Sequence, residues 1–275
     1  MSKLRTALVA VVLTSFALPG IAFAALDVAG NIIDSGGSAP PLAPGDPCGF
    51  CPAPAPDDRG VTFKDGDLWV VSQSSTLYHL QGCAVVESIP LPGVAFSFGL
   101  GYDTSRGVFI VTDPGTDVVH QINLAGAIVN TWPTPGSGPV GAAYDQTRDL
   151  YWISDFNGDL MTSVNPNTGL PGPTLAVPAG SRIAGAGYDP GQDAIIYNGR
   201  DQGMTYWMSA SSGALLGAFP NPGGPGTNNG QGAAIAFDGN GWVSHFEQPN
   251  VYCLEGFGPI AVEDASWGFI KAAYR

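Results

Sequence analysis

The residues best suited by type and spacing to chemistry are oxygen donors gathered in short glycine-bearing runs. Asp113 and Asp117 bracket Pro114-Gly115-Thr116, Asp155, Asn157 and Asp159 alternate with Phe156 and Gly158, and Asn198-Gly199 leads into Arg200 and Asp201. Alternating oxygens suit Ca²⁺, which takes six to eight of them. The run at 155–159 lacks the glycine position and distal glutamate of an EF-hand loop, and Asp and Asn favour such turns by bonding their own backbone. The expectation is turn structure without a resident cofactor, with Ca²⁺ as the competing reading. His245 and Glu247 are two apart, and on a regular strand they share a face, as a general base and its orienting carboxylate would. A solvated or structurally satisfied histidine is the plainer reading. No Gly-x-Ser-x-Gly elbow and no phosphate-binding loop occurs, so the catalytic residues stay unknown.

Four cysteines remain: Cys48, Cys51, Cys83 and Cys253. Cys48-Gly49-Phe50-Cys51 lacks the strand-to-helix setting that lowers a thiol pKa in redox motifs. Only His79, His120 and His245 are available beside these cysteines for zinc, and they are scattered. Two disulfides are expected, one cysteine of the pair at 48 and 51 joining Cys83 and the other joining Cys253.

These side chains sit on a recurring frame. Small residues, an aromatic and a polar residue precede an apolar strand in five places: Gly60 to Lys64, Gly99 to Asp103, Gly141 to Asp145, Gly185 to Asp189 and Ala234 to Asp238. The aromatic steps, Phe63 to Tyr102 to Tyr144 to Tyr188 to Phe237, are 39, 42, 44 and 49 residues, the length of a four-stranded propeller blade. No helical period interrupts the strands, and Gly, Pro and Asn fall between them. In such a ring the first strand of each blade lines the axis, where Gly and Ala permit close approach. Trp69, Trp152, Trp207 and Trp242 fall within strands and read as core, whereas Phe156 and the link at 221–232 fall in turns, better placed for a ligand.

The fold class is therefore all-β, a β-propeller of five blades with six as the alternative. Residues 27–35 mirror 123–131, which leads into a fourth strand, so the mature N-terminus is expected to close the last blade. The expected organisation is a signal peptide at 1–24, a closing strand with a Pro/Cys-rich loop at 25–59, five repeats at 60–256 and a tail at 257–275. The leader reading rests on Lys3 and Arg5, the apolar run at 7–18 and Ala22-Phe23-Ala24. It implies a secreted or periplasmic protein with no membrane insertion after cleavage.

The stretch at 139–145 followed by 150–157 resembles the blade repeat of NHL and lactonase-type propellers. Gly158-Asp159 stands where the NHL pattern has a basic residue. The resemblance implies, as one function, a divalent-cation hydrolase of lactones or esters whose axial ligands are Glu, Asn and Asp from different blades. Here the corresponding positions carry Ser97, Val140, Ala184 and the neighbourhood of Gln231, a poor ligand set. The ending at 266–275 is similar to short terminal tails on secreted bacterial proteins.

The chain carries 23 acidic and 10 basic residues, and loss of the leader takes the formal charge from −13 to near −15. Such a surface repels phosphate backbones, which excludes nucleic acid as a natural partner. The functional expectation is a non-catalytic binding scaffold for protein or carbohydrate. Its ligand face is formed by the second-to-third strand turns, which carry Asp113, Asp117, Asp155, Phe156, Asn157, Asp159, Arg200, Asp201, His245 and Glu247.

Overall fold

The computed structural model describes residues 46–177, 182–221, 230–235, 240–245 and 250–255, with the short strands β1 (Ala25–Leu26) and β2 (Ile32–Ile33). The expected leader, the C-terminal tail, Glu247 and most of the link at 221–232 lie outside these residues. The chain divides into two compact units, Met1–Pro41 and Leu42–Arg275. In the first, β1 and β2 pair antiparallel with each other.

The second unit is built from strands alone among the described residues. After β3 (Pro47–Pro52), four antiparallel sheets follow in chain order. They are β4 (Asp58–Lys64), β5 (Asp67–Ser72), β6 (Thr76–Gln81) and β7 (Ala84–Pro90); then β8 (Leu100–Asp103), β9 (Val108–Asp113), β10 (Val118–Ile122) and β11 (Ile128–Pro133). The third is β12 (Pro139–Asp145), β13 (Leu150–Asp155), β14 (Leu160–Val164) and β15 (Pro171–Ala176), and the fourth β16 (Ile183–Asp189), β17 (Ala194–Gly199), β18 (Met204–Ser209) and β19 (Leu215–Pro220). The fifth sheet joins β20 (Gly230–Ile235), β21 (Gly241–His245) and β22 (Asn250–Leu254) to β3. This is a five-bladed β-propeller closed by an N-terminal strand.

The closing strand is not the segment at 27–35 expected from its likeness to 123–131. It is Pro47–Pro52, within the stretch read as a loop, which pairs with β22 from Asn250↔Pro52 to Leu254↔Pro47. Prolines obscured it, yet both stand at the ends of an edge strand, where a missing N–H is tolerated. The disulfides lock this seam: Cys48 joins Cys253 on the neighbouring strand, and Cys51 crosses to Cys83 at the β6–β7 turn of the first blade. The pairing agrees with the sequence expectation, and two such bonds mark a fold made for an oxidising compartment.

Alternation along each second strand packs the ring. Trp69 and Val71 of β5 meet Leu100, Phe109 and Val111 of the second blade, while Leu68 and Val70 turn the other way, toward Ala234 and Val251 of the fifth. Equivalent clusters fill the remaining interfaces, including Ile110 with Tyr151 and Ile153, Trp152 with Ile195 and Tyr197, and Ile196 with Val243. No single sheet buries both of its faces, and the closed ring does so for all five.

The inner strands explain the small residues. A Cβ on Gly60 would stand 2.4 Å from the Leu100 nitrogen, and one on Gly232 would stand 2.5 Å from the Arg59 carbonyl oxygen. Any larger residue must therefore push two blades apart. Polar residues near the ends of the second strands knit the same layer: Gly99 N donates to Thr112 Oγ1 at 2.7 Å, Asn198 Nδ2 to Gly232 O at 2.7 Å, and Ser244 Oγ to Arg59 O.

Candidate functional site

Each inner strand is hydrogen-bonded on one side only, because it stands at the end of its sheet. The free edges of β4, β8, β12, β16 and β20 therefore present backbone N–H and C=O groups toward the axis. A cavity of about 820 Å³ opens there, with Gly101, Ala142, Ala186, Gly187 and Ala234 in its walls. Its mouth lies at the end formed by the first-to-second strand turns, where Asp65, Thr104, Gln146 and Asp189 contribute. Four of the repeat aromatics, Phe63, Tyr102, Tyr144 and Tyr188, form a collar.

The collar is held by a clasp that repeats between blades. Asp103 is buried, and its Oδ1 accepts from the backbone of Ser105 and Arg106, closing the β8–β9 turn. Its Oδ2 accepts from Arg106 Nη1 at 2.8 Å and from Tyr151 Oη at 2.7 Å. Arg106 then reaches the third blade and binds Asp149 through two bonds of 2.7 Å. One blade on, buried Asp145 holds Arg148, which grips Asp193 of the fourth blade at 2.6 and 2.5 Å. Tyr144 donates to Asp149 at 3.1 Å and Tyr188 to Asp193 at 3.0 Å. The guanidinium of each clasp, bonded to its carboxylate, holds Asp149 and Asp193 below the usual carboxylate range. Burial raises the pKa of Tyr102 and Tyr144 and pushes Tyr188 up to about 12, so the collar phenols are neutral donors at physiological pH.

None of these clasp residues was singled out from sequence. The signal was present in the repeat, as Tyr-Asp followed by Arg106-Gly107, Arg148-Asp149 and Gln192-Asp193. The last position is left-handed in each case, with φ of +66°, +54° and +52°. Glycine adopts that conformation freely, whereas Asp149 and Asp193 accept a backbone cost in exchange for the inter-blade ion pair.

Hairpin turns alternate between the two ends of a blade, so the described residues among those expected to meet a ligand lie at the opposite end from this mouth. Asp113 is buried, its Oδ1 accepting from Gly115 N and its Oδ2 from Ala95 N. Asp117 Oδ1 accepts from Gly138 N at 2.8 Å, and Asp155 Oδ1 from the backbone of Asn157 and Gly158. Asn157 Nδ2 donates to Ser137 O, and Asp159 takes the left-handed turn position. The carboxylates of Asp113, Asp117 and Asp155 are structural acceptors of their own and adjacent turns. Phe156 lies between the guanidinium groups of Arg182 and Arg200, at 5.6 and 5.3 Å, and Arg182 pairs with Asp201 at 3.2 Å. The backbone of His245 ends β21; its side chain lies outside the described residues. Among the described residues, no group of three His, Cys, Asp or Glu side chains is placed to hold a metal ion.

Two buried ionisable groups also lie away from the mouth. Asp58, the first residue of β4, accepts from Ala55 N through Oδ2, while its Oδ1 has no hydrogen-bond partner among the described residues. Burial pushes its carboxyl up to about 7, against the smaller opposing effect of the Ala55 bond. His120 is bonded through Nδ1 to Thr131 Oγ1, its Nε2 lies 4.0 Å from Asp113, and burial holds its pKa down.

No family model matches this chain, and no curated protein matches it in sequence. Among solved structures, a glutaminyl cyclase of Myxococcus xanthus superposes with a TM-score of 0.63 at 15% identity, over 76% of this chain and 94% of that one. The WD40 propeller domain of Doa1 gives 0.50 at 14% identity, over 75% and 64% of the two chains. A streptogramin B lyase gives 0.49 at 16% identity, over 74% and 67%. At these identities the likeness is one of fold, and a fold by itself assigns no activity.

Proposed function

We propose that this chain is a secreted or periplasmic, non-catalytic propeller that binds a protein or glycan ligand by taking part of it into the axial cavity. The observation that carries this reading is the makeup of the cavity. Its volume of about 820 Å³ suits a ligand group, and its described lining combines free strand edges and tyrosines with no Ser, Cys, His, Lys or Arg. A covalent hydrolase needs a nucleophile within reach of a base. The described lining offers Thr62 and Thr104 hydroxyls and neutral phenols, with no imidazole beside them. Export is supported by the two disulfides together with the leader-like composition of residues 1–24.

The test is an NMR screen of the purified mature chain, with ring-labelled tyrosine as reporter, against oligosaccharides, peptides and amines. Binders are expected to shift Tyr144 and Tyr188. Turnover of simple lactones or esters, or a melting temperature raised by Ca²⁺ and restored by EDTA, would overturn the non-catalytic, cofactor-free reading. Binders that perturb only the turns at 113–117 and 155–159 would move the site to the other end of the ring.

A further inference from the structure

We infer that the group recognised in the axial cavity is an organic ammonium ion, seated against the rings of Tyr144 and Tyr188. This rests on the cavity being the binding site. Three independent features point to it. First, the described lining includes the carboxylates of Asp65, which Lys64 pairs, and of Asp189, which has no basic partner in the lining, in a chain of net charge −13. Low-dielectric walls carrying one sign of charge concentrate the opposite sign.

Second, the clasps behind the collar hold a fixed excess of negative charge. Each sets two carboxylates on one guanidinium, Asp103 and Asp149 on Arg106, Asp145 and Asp193 on Arg148. Tyr144 and Tyr188 donate their phenolic protons into these clasps. A phenol hydrogen-bonded to a carboxylate has a more electron-rich ring, which strengthens its attraction for a cation. Third, a collar ring already attracts an ammonium, since Lys64 Nζ stands 5.7 Å from the centroid of Tyr102. Tyr102 donates to no clasp carboxylate, whereas Tyr144 and Tyr188 do. An anionic ligand would meet the excess negative charge of both clasps and of Asp189, and a neutral polyol would gain nothing from the clasps.

The experiment compares choline with its uncharged carbon isostere, 3,3-dimethylbutan-1-ol, by chemical-shift titration of the ring-labelled tyrosines in the full mature chain. Choline is expected to shift Tyr144 and Tyr188 with an affinity at least ~10-fold above the isostere. Tyr144→Phe and Tyr188→Phe keep the rings but uncouple them from Asp149 and Asp193. They are expected to weaken choline ~3-fold or more, to leave the isostere unaffected and, with one clasp hydrogen bond lost in each, to lower the melting temperature slightly. Oligolysine and a deacetylated glucosamine trimer then distinguish a peptide from a glycan amine, and binding of either at the collar supports the assignment. Equal binding of choline and isostere, or neutral oligosaccharides binding at the collar where choline does not, overturns the ammonium assignment and leaves the cavity reading intact. Ligands that bind without moving the two tyrosines overturn both.

Discussion

Asp58→Asn should make the protein more stable in alkaline than in mildly acidic buffer relative to wild type, because the native carboxyl is held protonated. Its pKa rises from 3.8 to about 7 on folding, through burial at the start of β4. A proton bound more tightly in the folded state stabilises it fully below the unfolded pKa, and that contribution is lost as pH rises through the folded one. At about 1.4 kcal/mol per pH unit, the whole window is worth about 4 kcal/mol, of which about 3 kcal/mol falls between pH 5 and pH 8. Asparagine mimics the neutral acid and does not titrate. Urea unfolding followed by tryptophan fluorescence should therefore give the variant a lead of about 1.5 kcal/mol at pH 5, which already lies above the unfolded pKa. At pH 8 the variant should lead by about 4 kcal/mol, close to the whole window. Every other titrating group cancels in the difference, including His120, whose depressed pKa costs stability as pH falls. Parallel pH profiles for the two proteins would refute the burial argument and imply that Asp58 is ionised in the native state.

Gly99→Val should lower stability by about 3 kcal/mol or prevent folding, because even a Cβ there would stand 2.7 Å from the Cα of Gly141; a urea midpoint equal to wild type would contradict the close ring. Arg148→Ala should cost about 3 kcal/mol by leaving buried Asp145 without its counter-ion, and Arg148→Lys should recover only part of it, since the two-pronged grip on Asp193 is lost. Removing the Cys48–Cys253 bond, whose ends are 205 residues apart, should cost about 5 kcal/mol, and removing Cys51–Cys83, 32 apart, about 4 kcal/mol, in the loop-entropy account. Serine variants compared by thermal melting check that order, and a larger loss for the shorter loop would show that strain or packing outweighs chain entropy.

The blades were legible because their constraint is periodic and local. Gly and Ala before an aromatic, then a run such as Val108-Phe109-Ile110-Val111, reflect crowding at the axis and a strand buried on both faces. The closing strand was not legible, because pairing of residues 47–52 with 250–254 is a contact across nearly the whole chain and leaves no local pattern. Its flanking prolines argued against a strand, while 27–35 carried the better strand pattern. The cysteines held the missing information: two residues three apart, bonded to two different blades, fix that segment at the seam between them.

The axial cavity was not legible for a different reason. Asp and Asn attract notice wherever they cluster, and the turns at 113–117 and 155–159 are rich in them, yet the carboxylates of Asp113, Asp117 and Asp155 serve backbone N–H groups. The cavity is marked instead by residues that carry little chemical signal singly, glycines, alanines and one aromatic from each of four repeats. What distinguishes Tyr144 and Tyr188 from Tyr102 is the aspartate five residues later, in place of Gly107. In sequence that exchange is a single turn residue. In the fold it converts a spacer into the far end of an inter-blade ion pair and gives two of the collar rings a carboxylate to lean on, so two carboxylates on one guanidinium stand behind each of these rings at the mouth of the axial cavity.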